Sequence, residues 1–201
     1  MPVQWAGNEG SLLPQAFDEV RVAQTSAENV LTPPIELGTV AEFHDMGSTK
    51  YGTGLFRYVR YTGGTQQIAG EPTTGARAVF FASEDDNYLV TADVSEGFGA
   101  AGILHNKPSG VLNENSYIWI QLTGICAFTG GLVITGSTAL NDRLIAPVSV
   151  GSGNDGELEI LSIGFTDVDT PIVEADRVKL ERRTVAEVTK ADEFLMLDFP
   201  H

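Results

Sequence analysis

Twenty-two glycines and nine prolines cut these 201 residues into apolar runs too short to build long helices. Between the breaks lie short stretches rich in β-branched and aromatic side chains, which favour extended backbone. Residues 56–61 alternate and stop at Gly63 and Gly64, while 78–82 and 88–92 flank a polar turn over 83–87. The clearest run is 117–122, with Tyr117, Trp119 and Gln121 on one face and Ile118, Ile120 and Leu122 on the other. A period of two with one wholly aliphatic face predicts a half-buried strand. Gly130 and Gly131 can turn a hairpin between 125–129 and 132–135, and Asp155 and Gly156 another between 147–150 and 158–163. No internal repeat of fixed period is present. The pattern predicts an all-β fold, an antiparallel β-sandwich or barrel-like domain over 37–166. An N-terminal arm (1–36) and a C-terminal strand and tail (167–201) extend from it.

Charge narrows the function classes. Twelve Lys and Arg against 27 Asp and Glu leave a formal charge of −15, which repels phosphate backbones and anionic bilayers. No nucleic-acid or membrane partner is therefore expected. The longest apolar runs also fall far short of the roughly 20 residues of a membrane-spanning helix. An apolar share of 42% still supplies a packed core. The start, from Met1 to Gly10, has neither a basic nor an apolar leader region, and Cys126 is the only cysteine. These features predict a soluble chain made in a reducing compartment.

The motifs that could carry chemistry read as structure. Gly97 to Gly102 satisfies G-x-G-x-x-G, but Pro108 and Gly110 would break the helix that must follow it to hold a pyrophosphate. His44, His105 and His201 show no metal-ligand spacing, and no G-x-S-x-G elbow accompanies them. Acidic turns at 84–87 and 154–157 lack the EF-hand spacing. Cys126 has no basic neighbour and reads as a small buried hydrophobe. No catalytic residue, cofactor site or metal site is expected, so the chain reads as a non-enzyme.

The ends hold the candidate contact residues. Leu13, Phe17 and Val20 fall at i, i+4, i+7, which allows a short helix before Thr32-Pro33-Pro34. Trp5, Leu12, Leu13 and Phe17 could cover the chain's own core or meet a neighbour. Arg177, Lys179 and Arg182 form a basic stripe along a candidate strand, either as a solvated edge or against an acidic partner. Phe194, Leu195, Met196, Leu197 and Phe199 form an apolar cluster at the chain end, which either folds back onto the same chain or docks on another subunit.

Residues 37–61 (Leu-Gly-Thr-Val-Ala-Glu-Phe through Gly54-Leu-Phe-Arg-Tyr-Val-Arg-Tyr) resemble the opening strand pair of tailed-phage head decoration, or capsid cement, proteins. Residues 102–146 continue the resemblance with Gly102-Ile-Leu, Tyr117-Ile-Trp-Ile-Gln-Leu-Thr-Gly124 and Asn141-Asp142-Arg143-Leu144-Ile145-Ala146, and Ile163-Gly164-Phe165 could supply the strand that follows. Asn141 stands where that family more often has glycine. The resemblance implies a β-rich virion protein made in the host cytoplasm that binds the outside of a bacteriophage capsid. Its implied partners are the major capsid protein and two further copies of itself, as a homotrimer, for capsid stabilisation. The family has no catalytic residues to transfer. A competing expectation is a carbohydrate- or receptor-binding β module of a virion fibre, if Trp119, Tyr117 and Tyr58 face solvent. A third is a hydrolase with a carboxylate pair drawn from Glu84, Asp85 and Asp86.

Overall fold

The structure is a computed structural model, and it describes residues 4–5, 21–22, 35–45, 53–62, 77–83, 85–86, 88–94, 99–104, 116–127, 139–145, 156–162, 183–190 and 194–199. The described residues contain no helix, and the fold is all-β. The strands are β1 (Gln4–Trp5), β2 (Arg21–Val22), β3 (Val40–Asp45), β4 (Thr53–Tyr61), β5 (Arg77–Phe81), β6 (Leu89–Thr91) and β7 (Ala100–Leu104). They continue with β8 (Ser116–Gln121), β9 (Thr123–Ala127), β10 (Arg143–Ile145), β11 (Glu159–Ile160), β12 (Ala186–Lys190) and β13 (Phe194–Asp198).

Five strands close into a barrel in the order β4-β6-β5-β7-β8, because β8 also pairs with β4. Closure leaves these strands no open edge along the shared ladder. The long strand β4 makes closure possible by changing partners along one edge. Its first half pairs with β3, where Tyr58 N–H donates to Thr39 O at 2.9 Å. Beyond Tyr58 the same edge takes β6, where Arg60 N–H donates to Tyr88 O at 2.8 Å. On the other edge β8 runs antiparallel from Phe56↔Gln121 to Tyr61↔Ser116.

Alternation then sorts the side chains of β4 and β8 into two buried layers. Val59, Tyr61, Ile118, Ile120 and Leu122 join the main core. Phe56, Tyr58, Tyr117 and Trp119 form a second cluster with Ile35 and with Phe43 of β3. The strand expected to be half-buried is thus buried on both faces, because β3 and the segment leading into it cover its aromatic side.

The second sheet has the order β11-β10-β12-β13-β9. Its Leu144, Ala186, Val188 and Leu197 belong to the same continuous core as the barrel residues. The chain passes between the sheets at Leu122, with β8 ending one residue before it and β9 starting one residue after. Leu122 N–H donates to Leu55 O at 2.7 Å, and Leu122 O accepts from Phe199 N–H at 2.9 Å. Beside it, the buried Gln121 turns its Nε2 onto the carbonyls of Thr123 (2.9 Å) and Ile125 (3.1 Å). One carboxamide thereby satisfies two acceptors on the edge of β9 that faces away from β13.

Gly54 is the tight point of this corner. A Cβ there would lie 2.5 Å from Thr123 O and 2.8 Å from Gln121 Nε2, and the first of these is backbone. Gly54→Ala is therefore expected to destabilise the protein by about 1–3 kcal/mol, the range for overpacking a filled interior. A denaturant midpoint equal to the parent's would refute that account.

The pairing also differs from the sequence expectation in places. It is mostly antiparallel, but β1–β3 and β4–β6 are parallel. The second case follows from the β5–β6 hairpin, which lays its returning strand against β4 to close the ring. The partner of Glu159–Ile160 is Leu144–Ile145, upstream of the 147–150 run assigned to that hairpin. The 132–135 arm of the Gly130-Gly131 hairpin, the helix over 13–20 and the strand over 178–182 lie outside the described residues.

Candidate interaction surface

Residues that sequence reasoning tested for chemistry are used by the fold. In the glycine motif, Ala100 onward is strand β7, so no helix N-terminus follows the glycines. Gly102 is needed for close approach, since a Cβ there would lie 2.9 Å from Gln121 O. In the acidic turn, Ser83 Oγ accepts from the N–H groups of Asp85 and Asp86, each at 3.2 Å. Asp86 Oδ1 accepts from Tyr88 N–H at 3.0 Å, so that carboxylate closes its own turn. Glu84 lies outside the described residues, as do His105 and His201. Among the described residues no group of three His, Cys, Asp or Glu is placed to hold a metal ion.

Cys126 is fully buried, and burial pushes its thiol pKa far above the ordinary value. Thiolate is the reactive form. Cys126 is thus expected to resist iodoacetamide in the folded protein and to react fully in denaturant. Rapid labelling of native protein would contradict its placement.

The candidate contact residues divide sharply. The cluster at the chain end folds back onto the same chain: β13 lies between β12 and β9. Leu197 and Phe199 are buried in the core and so are not free to meet another subunit, which corrects their assignment as contacts. Met196 faces outward at 43% exposure. The backbone of Phe194 and Leu195 pairs with Ala127 and Cys126. Trp5 lies in β1, opposite Asp45. Leu12, Leu13, Phe17, Arg177, Lys179 and Arg182 lie outside the described residues. The neighbouring Arg183 makes a 3.6 Å ion pair with Asp198, and both side chains are exposed. Such surface pairs add little stability.

The aromatic residues proposed for sugar stacking do not face solvent. Tyr58 and Trp119 are fully buried and Tyr117 nearly so. Trp119 packs edge-on to Phe43 at 4.9 Å between ring centroids and lies 5.0 Å from Tyr58. A sugar needs an open ring face, and these rings offer none.

Two surface features were missed in the sequence. On the second sheet, Ile125 is 38% exposed and directly opposite Met196, which in turn faces Glu187 on β12. At the barrel rim, Val40 of β3 lies directly opposite Arg57 of β4, so the two share a face. Tyr88 stands beside them, its ring lying over Gly38 where the edge of β4 passes from β3 to β6. Gly38 has φ +85°, and a Cβ there would fall on the Tyr88 ring. Val40 and Tyr88 are 44% and 42% exposed. Partial burial lowers the Arg57 pKa, and Tyr88 offsets part of that lowering coulombically. The available signal was one charged residue, Arg57, within the otherwise apolar series Leu55, Val59 and Tyr61.

Comparison of the chain with family models, with curated proteins and with solved structures returns no match.

Proposed function

We propose that this chain is a non-enzymatic virion protein that binds the outer surface of a phage capsid and cements the head as a homotrimer. The observation that carries the reading is where the phage-like segments fall. Residues 37–61 supply β3 and β4, and residues 102–146 supply β8, β9, β10 and most of β7. These are the strands that form the closing seam of the barrel and its passage into the second sheet. Asn141 adds support: it takes φ +70°, the left-handed backbone that glycine adopts freely, and it stands where the family more often has glycine. A cement protein gains its effect by avidity, many modest contacts acting across several subunits. The outward pair Ile125 and Met196 offers apolar area of that modest kind.

The decisive experiment compares phage heads assembled with and without the protein. The expected result is cosedimentation with intact heads and a lower rupture temperature for heads that lack it. Light scattering on the purified protein should give about three times the 21.5 kDa chain mass if trimers form before docking. Heads that neither bind the protein nor gain stability from it would rule the reading out.

A further inference from the structure

We propose that the face formed by Val40, Arg57 and Tyr88 is a docking site for a carboxylate-bearing peptide segment of another protein. The inference holds whether or not the chain decorates a capsid, because it rests on local geometry alone.

Its first support is a charge without a carboxylate beside it. Arg57 is half-buried on β4, and among the described residues its guanidinium makes no ion pair; the electrostatic neighbour it has there is Tyr88. This occurs in a chain with 27 acidic residues and only 12 basic ones. A partly desolvated cation normally secures a counter-charge within the fold. The guanidinium also carries a fixed fork of donors matched to a carboxylate.

The second support is the setting of that charge. Its cross-strand partner Val40 and the nearby Tyr88 are among the few large apolar side chains exposed in the described residues. Tyrosine and arginine are among the residue types enriched at the energetic centres of protein interfaces. The backbone of Tyr88 is held on both sides, its N–H donating to the Asp86 carboxylate and its carbonyl accepting from Arg60 N–H, and Gly38 leaves room for its ring. Charge decides the occupant. A net −15 strongly opposes approach of a second copy, whereas one carboxylate within an otherwise uncharged stretch of a different chain meets far less of that repulsion and finds Arg57 at short range.

The test is a titration of the full chain, followed by NMR at arginine Nε–H and tyrosine ring signals. The probes are the capped tripeptide acetyl-Leu-Glu-Leu-amide and its Gln analogue. The expected result is saturable change at Arg57 and Tyr88 with the Glu peptide, at least about tenfold weaker with the Gln peptide. Arg57→Met should abolish the response with unchanged circular dichroism. Should that variant not fold, Arg57→Lys retains the charge without the fork and should weaken binding. Equal response to both peptides overturns the proposal, as does no response up to about 10 mM peptide. So does a change at Arg57 and Tyr88 that follows protein concentration alone, with a doubled mass in light scattering, which would give the face to a second copy.

Discussion

Ending the chain after Glu193 is expected to destroy the cooperative fold. The six residues from Phe194 to Phe199 include the one strand that joins β12 to β9, so the second sheet loses a central member rather than an edge. The ladder on both sides of β13 is lost, along with the bonds from Asp198 N–H to Val185 O (2.8 Å) and from Phe199 N–H to Leu122 O (2.9 Å). Leu197 and Phe199 also leave the core that the second sheet shares with the barrel. Deleting a buried Leu costs about 2–5 kcal/mol and a buried Phe about 3–5. Their sum approaches the whole stability of an ordinary domain, roughly 5–15 kcal/mol. The truncated chain should show no sigmoidal thermal transition in circular dichroism and should lose hydrogen-exchange protection in the second sheet. Phe199→Ala alone should lower stability by about 3–5 kcal/mol. A truncated protein that melts at the parent temperature would mean that β13 is not a structural member.

That dependence on the chain end was only half legible in the sequence. The apolar cluster 194–199 was visible, and so was its need for cover, but local pattern does not say whose surface provides it. The answer is tertiary: the slot between β12 and β9 exists only once residues far apart in sequence have met. Period-two alternation located β8 to within a residue and β4 from its fourth residue onward, while β5 and β6 were legible to within a residue as apolar runs on either side of a polar turn. Alternation failed on the second face of β8. Tyr117 and Trp119 were compatible with solvent, with a ligand or with a second layer, and only the arrival of β3 and Ile35 selects the last. Barrel closure was equally out of reach. It depends on β4 being long enough to take β3 and then β6 along one edge, a matter of register between segments and not of composition. Gln121 was placed on the aromatic face of its strand, but its duty to the carbonyls of Thr123 and Ile125 arises from the corner that follows.

Trp119→Ala is the second large effect, and its size separates a structural tryptophan from a binding one. Trp119 is fully buried, with Phe43 and Tyr58 against it and Phe43 in turn edge-on to Phe56 at 4.8 Å. Truncation removes the transfer free energy of the indole and leaves a cavity that β3 and β8 cannot close without shifting, at about 3–5 kcal/mol. Each aromatic pair adds about 0.5–1.5 kcal/mol beyond area burial. Trp119→Phe should cost less, because an aromatic ring still meets Phe43. Denaturant unfolding of Trp119→Ala, Phe43→Leu and the double variant gives the pair term directly, expected at about 0.5–1.5 kcal/mol. A tryptophan kept for glycan stacking would behave in the opposite way, losing ligand affinity on truncation while stability stayed nearly constant. The outer aromatic layer requires that stability fall first. An unchanged unfolding midpoint for Trp119→Ala would return this side chain to the surface and reopen the fibre-module reading.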